Sequence, residues 1–262
     1  MADLFTSLVA ISPNQSKVSG NAATRIPGTS PQMKDGIWNE RACAFGCNFS
    51  TLVGGLLGYW KLDSNALDSK GTYNGTIVGP VTYAPSKIND GAVFGAGSPR
   101  IDISPIPVWT GAVSVSVWIN PATDRNVGAT TPAGIVTGFQ SNGYYHTGMH
   151  LRGDGTSTNF LTYSYNDTFM TGNDVSIPNS VWTHVVSTIS SPAGLRFYVN
   201  GVRTVTPDFA LGAIGLGVLN LGSGVFGSFK GGLDAVGVWD RQLTQTEITA
   251  LYNAGTGVQY PF

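Results

Sequence analysis

The sequence is poor in charge, in catalytic side chains and in long apolar runs. Charged residues make up 11% of its 262 positions, less than half the ~25% usual in soluble domains. With 14 Lys+Arg against 15 Asp+Glu the net charge is -1. There is no basic stripe to grip nucleic acid and no polybasic segment for a membrane surface. No stretch approaches the length of a membrane span, so membrane insertion is not expected. Residues 1–17 lack the basic start and sustained apolar run of a secretory leader; the apolar run Leu8–Ile11 is too short. Glutamate occurs only at Glu40 and Glu247. A glycosidase needs two carboxyl groups flanking one bond, and no glutamate pair shares a strand. Asp234 and Asp240 share one apolar segment, but six residues of strand span about 20 Å.

The other reactive side chains are equally sparse. His146 and His150 are separated by Thr-Gly-Met with no Glu after the first, so the metalloprotease helix is absent. His184 alternates with Trp182 and Val186 and reads as a hydrogen-bonded strand histidine. No nucleophile elbow, phosphate loop or dinucleotide fingerprint is present. Cys43 and Cys47 have no histidine near them to complete a zinc site. They are either two unpaired residues or a disulfide closing a small loop. Arg152-Gly153-Asp154 reads as a polar turn after a strand, with integrin-type adhesion as the functional alternative.

What is abundant is turn and strand chemistry: 35 glycines and 14 prolines among short runs rich in Val, Thr and Ser. Residues 1–54 read as an irregular N-terminal arm, with a short ordered piece at Leu4–Ile11. From residue 55 onward, apolar runs alternate with turn clusters. Strands are expected at Leu56–Leu62, Gly75–Val78, Ala92–Phe94, Arg100–Ile103, Ala112–Asn120 and Gly134–Phe139. More are expected at Gly148–Arg152, Phe160–Tyr165, Val181–Ile189, Leu195–Val199, Gly217–Leu221 and Gly232–Trp239. Asn200-Gly201 predicts a type I′ hairpin, because both central residues of that turn take positive φ. Thr244 and Glu247 form a capping box for one short C-terminal helix. Leu243 and Ile248 are placed as its staple, and Gly255 as its end. The expected class is all-β, a two-sheet antiparallel sandwich or jelly roll.

Ordered segments of this chain resemble the laminin-G-like jelly rolls of the concanavalin A-like lectin/glucanase superfamily. The opening is Leu57-Gly58-Tyr59-Trp60-Lys61-Leu62-Asp63, then Asp68-Ser69-Lys70-Gly71 and Asn74-Gly75-Thr76. Gly91-Ala92-Val93-Phe94 with Ile101-Asp102-Ile103, and Ser114-Val115-Ser116-Val117-Trp118-Ile119, follow in the family's order. Trp182–Val186, Leu195–Gly201 and Gly232–Leu243 complete the likeness, which covers roughly residues 55–255. The resemblance implies a binding or adhesion module, often for glycans, with a structural calcium in many members. Two acidic positions of the family pattern are missing, where this chain has Gly95 and Ala235. Asp68, Asn74 and Asp234 remain as calcium ligands to test, and Asp234 shares strand parity with Val236 and Val238, which points it inward. Aromatic platforms for a sugar are expected at Tyr144, Tyr145 and His146, or at Tyr163 and Tyr165; ordinary packing is the alternative for these tyrosines.

Three functions follow. The first is a non-enzymatic virion decoration or cement-type protein. Here residues 1–54 dock to other virion or surface-assembly proteins, residues 55–262 are the displayed jelly roll, and the chain is a homo-oligomer, taken as a trimer. This reading places the protein on the virion surface, with an extracellular or cell-surface location as the alternative. The second is a carbohydrate-binding lectin or adhesion module. The third, a glycan hydrolase or lyase, is disfavoured by the two glutamates.

Overall fold

The structure is a computed structural model and describes residues 49–106, 111–123, 132–140, 146–153, 158–165, 168–169, 175–190, 193–204, 216–224 and 226–262. The first strands are β1 (Leu56–Trp60), β2 (Gly75–Val78), β3 (Thr82–Pro85), β4 (Asp90–Phe94), β5 (Arg100–Ile103) and β6 (Val113–Pro121). Next come β7 (Ala133–Gln140), β8 (His146–Gly153), β9 (Asn159–Tyr165), β10 (Thr168–Phe169), β11 (Val175–Ile177) and β12 (Thr183–Ser190). The last are β13 (Gly194–Val199), β14 (Val202–Arg203), β15 (Leu216–Leu221), β16 (Ser223–Gly224), β17 (Gly227–Ser228) and β18 (Gly231–Trp239). Helix α1 (Gln245–Tyr252) follows. All twelve expected strands are present, most shifted by a residue or two at an end. The short pieces β3, β10, β11, β16 and β17 were not expected as strands, whereas β14 is the return strand of the expected Asn200-Gly201 hairpin.

The strands make two sheets. The eight-stranded sheet runs β14-β13-β12-β6-β18-β4-β3, with β1 also paired to β18. The ten-stranded sheet runs β10-β9-β8-β7-β15-β5-β2, with β11 on β9 and the β16–β17 hairpin beside β7. Among the described residues the ladders are antiparallel except for one bridge, Ser228 to Gly134. Alternation along each strand sends one set of side chains inward. Val113, Val115, Val117 and Ile119 from one sheet meet Ile101, Met149, Leu161 and Leu219 from the other in a single buried cluster. This is the antiparallel two-sheet jelly roll expected from the sequence.

The outer face of the eight-stranded sheet is also covered. Trp118 stacks on Tyr252 with centroids 5.9 Å apart and lies tilted against His184 at 5.1 Å, and Lys87 Nζ lies 4.7 Å from the Trp118 ring. Tyr59, Trp239, Tyr260 and Phe262 form a second aromatic group. The expected hairpin is present, with Asn200 at φ 49° and Gly201 at φ 78°. The capping box of α1 is complete. Its left-handed terminator is Asn253, at φ 46°, rather than Gly255, because the helix stops two residues earlier than the sequence implies.

Residues 49–54 belong to this body rather than to an irregular arm. Phe49–Val53 is a short 3-10 helix with Phe49 and Leu52 buried. Trp239 Nε1 donates to the Leu52 carbonyl at 2.7 Å. Arg241 donates to the carbonyls of Gly54 (2.6 Å) and Thr51 (2.7 Å) and makes a two-pronged pair with Glu247 at 2.9 and 2.7 Å. The Lys70 ammonium reaches the Leu56 carbonyl. Leu4–Ile11, Cys43 and Cys47 lie outside the described residues.

Arg241 is thus the clasp between the 49–54 segment and α1. Arg241→Ala is expected to lower unfolding free energy by about 2–3 kcal/mol, and Arg241→Lys to recover less than half of that, since an ammonium cannot fork. Chemical denaturation measures both. Burial alone would raise the Glu247 pKa, but the Arg241 fork and the Thr244 backbone N–H outweigh it and hold it at about 2. A carboxyl whose folded pKa lies below its usual 4.5 stabilises the fold above that pH and loses the contribution as pH falls toward 2. Glu247→Gln should flatten this acid limb of the denaturation curve.

Candidate functional site

The expected ligand Asp68 is committed to backbone. It sits in the turn after β1, is 4% exposed and accepts four N–H groups. Oδ1 takes Tyr59 N and Lys70 N, each at 2.9 Å; Oδ2 takes Thr72 N at 3.1 Å and Tyr73 N at 3.0 Å. Asn74 Oδ1 accepts Asp68 N at 3.0 Å. A carboxylate holding four N–H donors rigidifies its loop and has no coordination left to offer a cation. The two residues do come together, as the sequence implied, but as a turn lock. They do not fit a calcium cage, which needs six to eight oxygens aimed at one point.

Asp234 lies elsewhere. A bulge separates Asp234 from Gly237 in the pairing with β6, and Ala235 takes φ 52°. The extra residue reverses parity. Leu233, Val236 and Val238 face the core, while Asp234 stands opposite Trp118 on the outer side. The inward orientation expected from Val236 and Val238 is therefore corrected. Asp234 is nonetheless fully buried. Its Oδ2 accepts Ser86 Oγ and Ile88 N, both at 2.7 Å, and its Oδ1 has no partner. Burial pushes its pKa up to about 7, with nearby Asp63 adding to the rise and the Ser86 and Ile88 hydrogen bonds opposing it. Asp63 itself accepts from Asn89 and Gln259 at 3.3 Å. Among the described residues no three His, Cys, Asp or Glu side chains gather as metal ligands. The calcium expectation narrows to the one free oxygen of Asp234.

The tyrosine platforms fare differently. Tyr144 and Tyr145 lie outside the described residues, and His146 is placed only as the first residue of β8. Tyr163 is 4% exposed within the core, its ring 6.3 Å from Phe197. Tyr165 is half-buried against the same cluster. Both point between the sheets, so the structure reassigns them from sugar stacking to packing. Their shared face was legible, but which face it was depends on the opposing sheet. Arg152 and Gly153 close β8 rather than forming a turn, and Arg152 lies 5.7 Å from the Phe160 ring.

The buried hydroxyl–imidazole pair between β6 and β12 makes no nucleophile. Ser116 Oγ and His184 Nε2 are 2.8 Å apart, both about 1–2% exposed, and His184 Nδ1 has no partner. Burial pushes the His184 pKa down to about 3. Without an acid to orient it or a substrate path, the pair is structural.

A polar row crosses the outer face of the ten-stranded sheet, and the sequence reading did not single it out. Thr76, Asp102, Asn220 and Thr137 stand opposite one another in β2, β5, β15 and β7. Asp102 Oδ1 accepts Arg100 Nε at 2.8 Å and Asn220 Nδ2 at 2.6 Å. The Arg100 and Asp102 side chains are 39% and 27% exposed. Thr137 Oγ1 donates to the Ser223 carbonyl at 2.6 Å, which fixes the β16–β17 hairpin over β7. Gly134 permits this approach, since a Cβ there would come within 2.5 Å of Ser223. Alternation in Arg100-Ile101-Asp102 was the only local signal of the row. Asn220 joins it from 118 residues away, a distance no local pattern reveals.

A two-sheet jelly roll with buried polar locks and a polar row on one outer sheet face has the form of a binding module. The sequence model of the concanavalin A-like lectin/glucanases superfamily, in its laminin-G-type branch, matches residues 95–249; the chain belongs to that family. No curated protein matches the chain. Among solved structures it is similar to domain 4 of AbnA, a GH43 extracellular arabinanase from Geobacillus stearothermophilus in complex with arabinotriose. Identity is 24% and the TM-score 0.56, over 74% of this chain and 97% of that one. It is also similar to the botulinum neurotoxin serotype G binding domain, with 14% identity, TM-score 0.54, and 75% and 50% covered. A botulinum neurotoxin type C structure is comparable, with 14% identity, TM-score 0.57, and 79% and 53% covered. The chain thus spans about half the length of the toxin chains, and the likeness is one of fold.

Asp234 yields a pH prediction. Its folded pKa near 7 exceeds its usual 3.8, so its contribution is fully present below about pH 4 and is lost as pH rises through about 7. Melting temperature should fall over that range in the wild type, and Asp234→Asn should remove that part of the slope. If calcium binds at Oδ1, millimolar calcium at pH 8 raises the wild-type melting temperature and leaves Asp234→Asn unmoved. An equal response in both proteins would discard calcium at this carboxylate.

Proposed function

We propose that this protein is a non-enzymatic binding module whose ligand is a carbohydrate. The observation that carries the reading is the laminin-G-type sandwich itself, in which each paired carboxylate or histidine described above serves the fold rather than a reaction. Asp68, Asp234, Glu247 and His184 hold loops, helix caps and strands. The similar arabinanase domain holds arabinotriose, and the similar type C neurotoxin depends on two ganglioside molecules to enter cells. Both support a saccharide as the ligand class. Calcium enters this proposal only as a structural ion at Asp234.

The finer reading adds display on a particle. Residues 12–40 are rich in Ser, Asn, Pro, Gly and Thr and too polar to form a core alone. Ordering that segment needs a partner surface, which supports a docking role on a virion or other surface assembly, with self-association as a trimer.

Two measurements test these statements. A panel of immobilised oligosaccharides, arabinotriose among them, should retain the protein and release it unchanged. Detectable turnover of any of them by reducing-end assay would make it an enzyme. Light scattering should show an oligomer for the full chain and a folded monomer for a version beginning at Asn48. Monomers in both cases would remove self-assembly through the N-terminal segment.

A further inference from the structure

We propose that the strip formed by Thr76, Arg100, Asp102 and Asn220 is the saccharide site, and that it takes a neutral terminal sugar through adjacent hydroxyls. This rests on the carbohydrate-binding reading above. Asp102 is held from two sides through Oδ1, by Arg100 Nε and Asn220 Nδ2, and Asn220 is itself 5% exposed. The carboxylate cannot turn without breaking two charge-assisted hydrogen bonds, so its position is set before any ligand arrives. Among the described residues, Oδ2 of Asp102, the carbonyl oxygen of the Asn220 amide and the two terminal nitrogens of Arg100 make no bond. The exposed Thr76 hydroxyl stands across from Asp102 on β2.

That inventory selects the occupant. Two acceptors, a forked donor and a hydroxyl sit side by side. A sugar hydroxyl both donates and accepts, so one hydroxyl gives its hydrogen to Asp102 Oδ2 and a neighbour accepts from Arg100. The guanidinium and the carboxylate cancel in charge, so a simple anion or cation gains little from the site as a whole. The surroundings select the sugar's end. Beyond Asn220 the row closes, because Thr137 is bonded to Ser223 and the β16–β17 hairpin sits over β7. On the other side β2 ends the sheet order. A glycan fits with its last ring against the hairpin side and the rest of the chain leaving over β2.

The test uses the full-length protein, an array of neutral oligosaccharides that includes arabinotriose, and titration calorimetry with the tightest probe. Asp102→Asn and Arg100→Gln should each weaken binding by about tenfold or more, about 1.4 kcal/mol. Thr76→Arg places bulk on an exposed strand position outside the Asp102 network and should weaken it similarly, with an unchanged melting temperature; it keeps the test valid if either other variant misfolds. Binding should change by less than about twofold between roughly 50 and 500 mM NaCl. If the wild type binds nothing on the array, the carbohydrate reading fails and the site with it. If the wild type binds and all three variants retain its affinity, the reading stands and this site is wrong. A steep loss with salt would show a charged ligand and overturn the neutral-sugar assignment.

Discussion

Strand β18 lies at the centre of the eight-stranded sheet and serves two neighbours along one edge. Gly231–Leu233 pair with β4, and Val236–Trp239 pair with β1, while the other edge pairs with β6 on both sides of the bulge. Changing partner in mid-strand requires slack. The bulge at Ala235 supplies it, with its N–H reaching the Lys61 carbonyl at 3.4 Å. Much else follows from that one residue. The bulge sends Asp234 to the outer side, where it pins the Ser86–Ile88 loop, and restores Val236 and Val238 to the core. It also leaves Trp239 outward, ready to bond the Leu52 carbonyl. Strand pairing, a buried carboxylate and the docking of residues 49–54 therefore share one cause.

Most of the fold was legible because its signals are local. Val113, Val115, Val117 and Ile119 announce their strand by alternation, Asn200-Gly201 announces its turn, and Thr244 with Glu247 announces its helix. What was not legible depends on distant partners. Residues 49–54 carry no pattern of their own and are ordered by Trp239 and Arg241, some 190 positions away. Asp234 was given the wrong face because parity counting assumes an unbroken ladder, and a bulge at a non-glycine residue leaves no mark in the sequence. Tyr163 and Tyr165 were placed on a common face correctly, yet the choice between ligand and core rests on the other sheet. The Asp102–Asn220 pair joins β5 to β15 and was invisible for the same reason.

The two outer faces divide the work of the molecule. On the eight-stranded sheet, helix α1, the 3-10 segment and the C-terminal aromatics build a second apolar layer, which leaves Asp234 Oδ1 and His184 Nδ1 buried without a partner. On the ten-stranded sheet, the polar row is closed at one end by a hairpin and open at the other. A core of aliphatic and aromatic side chains, Phe94, Tyr163 and Phe197 among them, packs between the two sheets. Exposed polar side chains thus gather on one outer face, and aromatic packing with the Arg241 clasp on the other.

The Phe49–Val53 segment packs on the outer side of the eight-stranded sheet. The Arg100–Asp102–Asn220 strip is on the far side of the other sheet. A force applied between that strip and the Phe49–Val53 segment would cross the thickness of the sandwich. It runs through the packing of two sheets roughly 10 Å apart and meets the Arg241 clasp last. Along that direction the force would bear on interdigitated side chains and on the Arg241 hydrogen bonds, with the strand ladders lying across it.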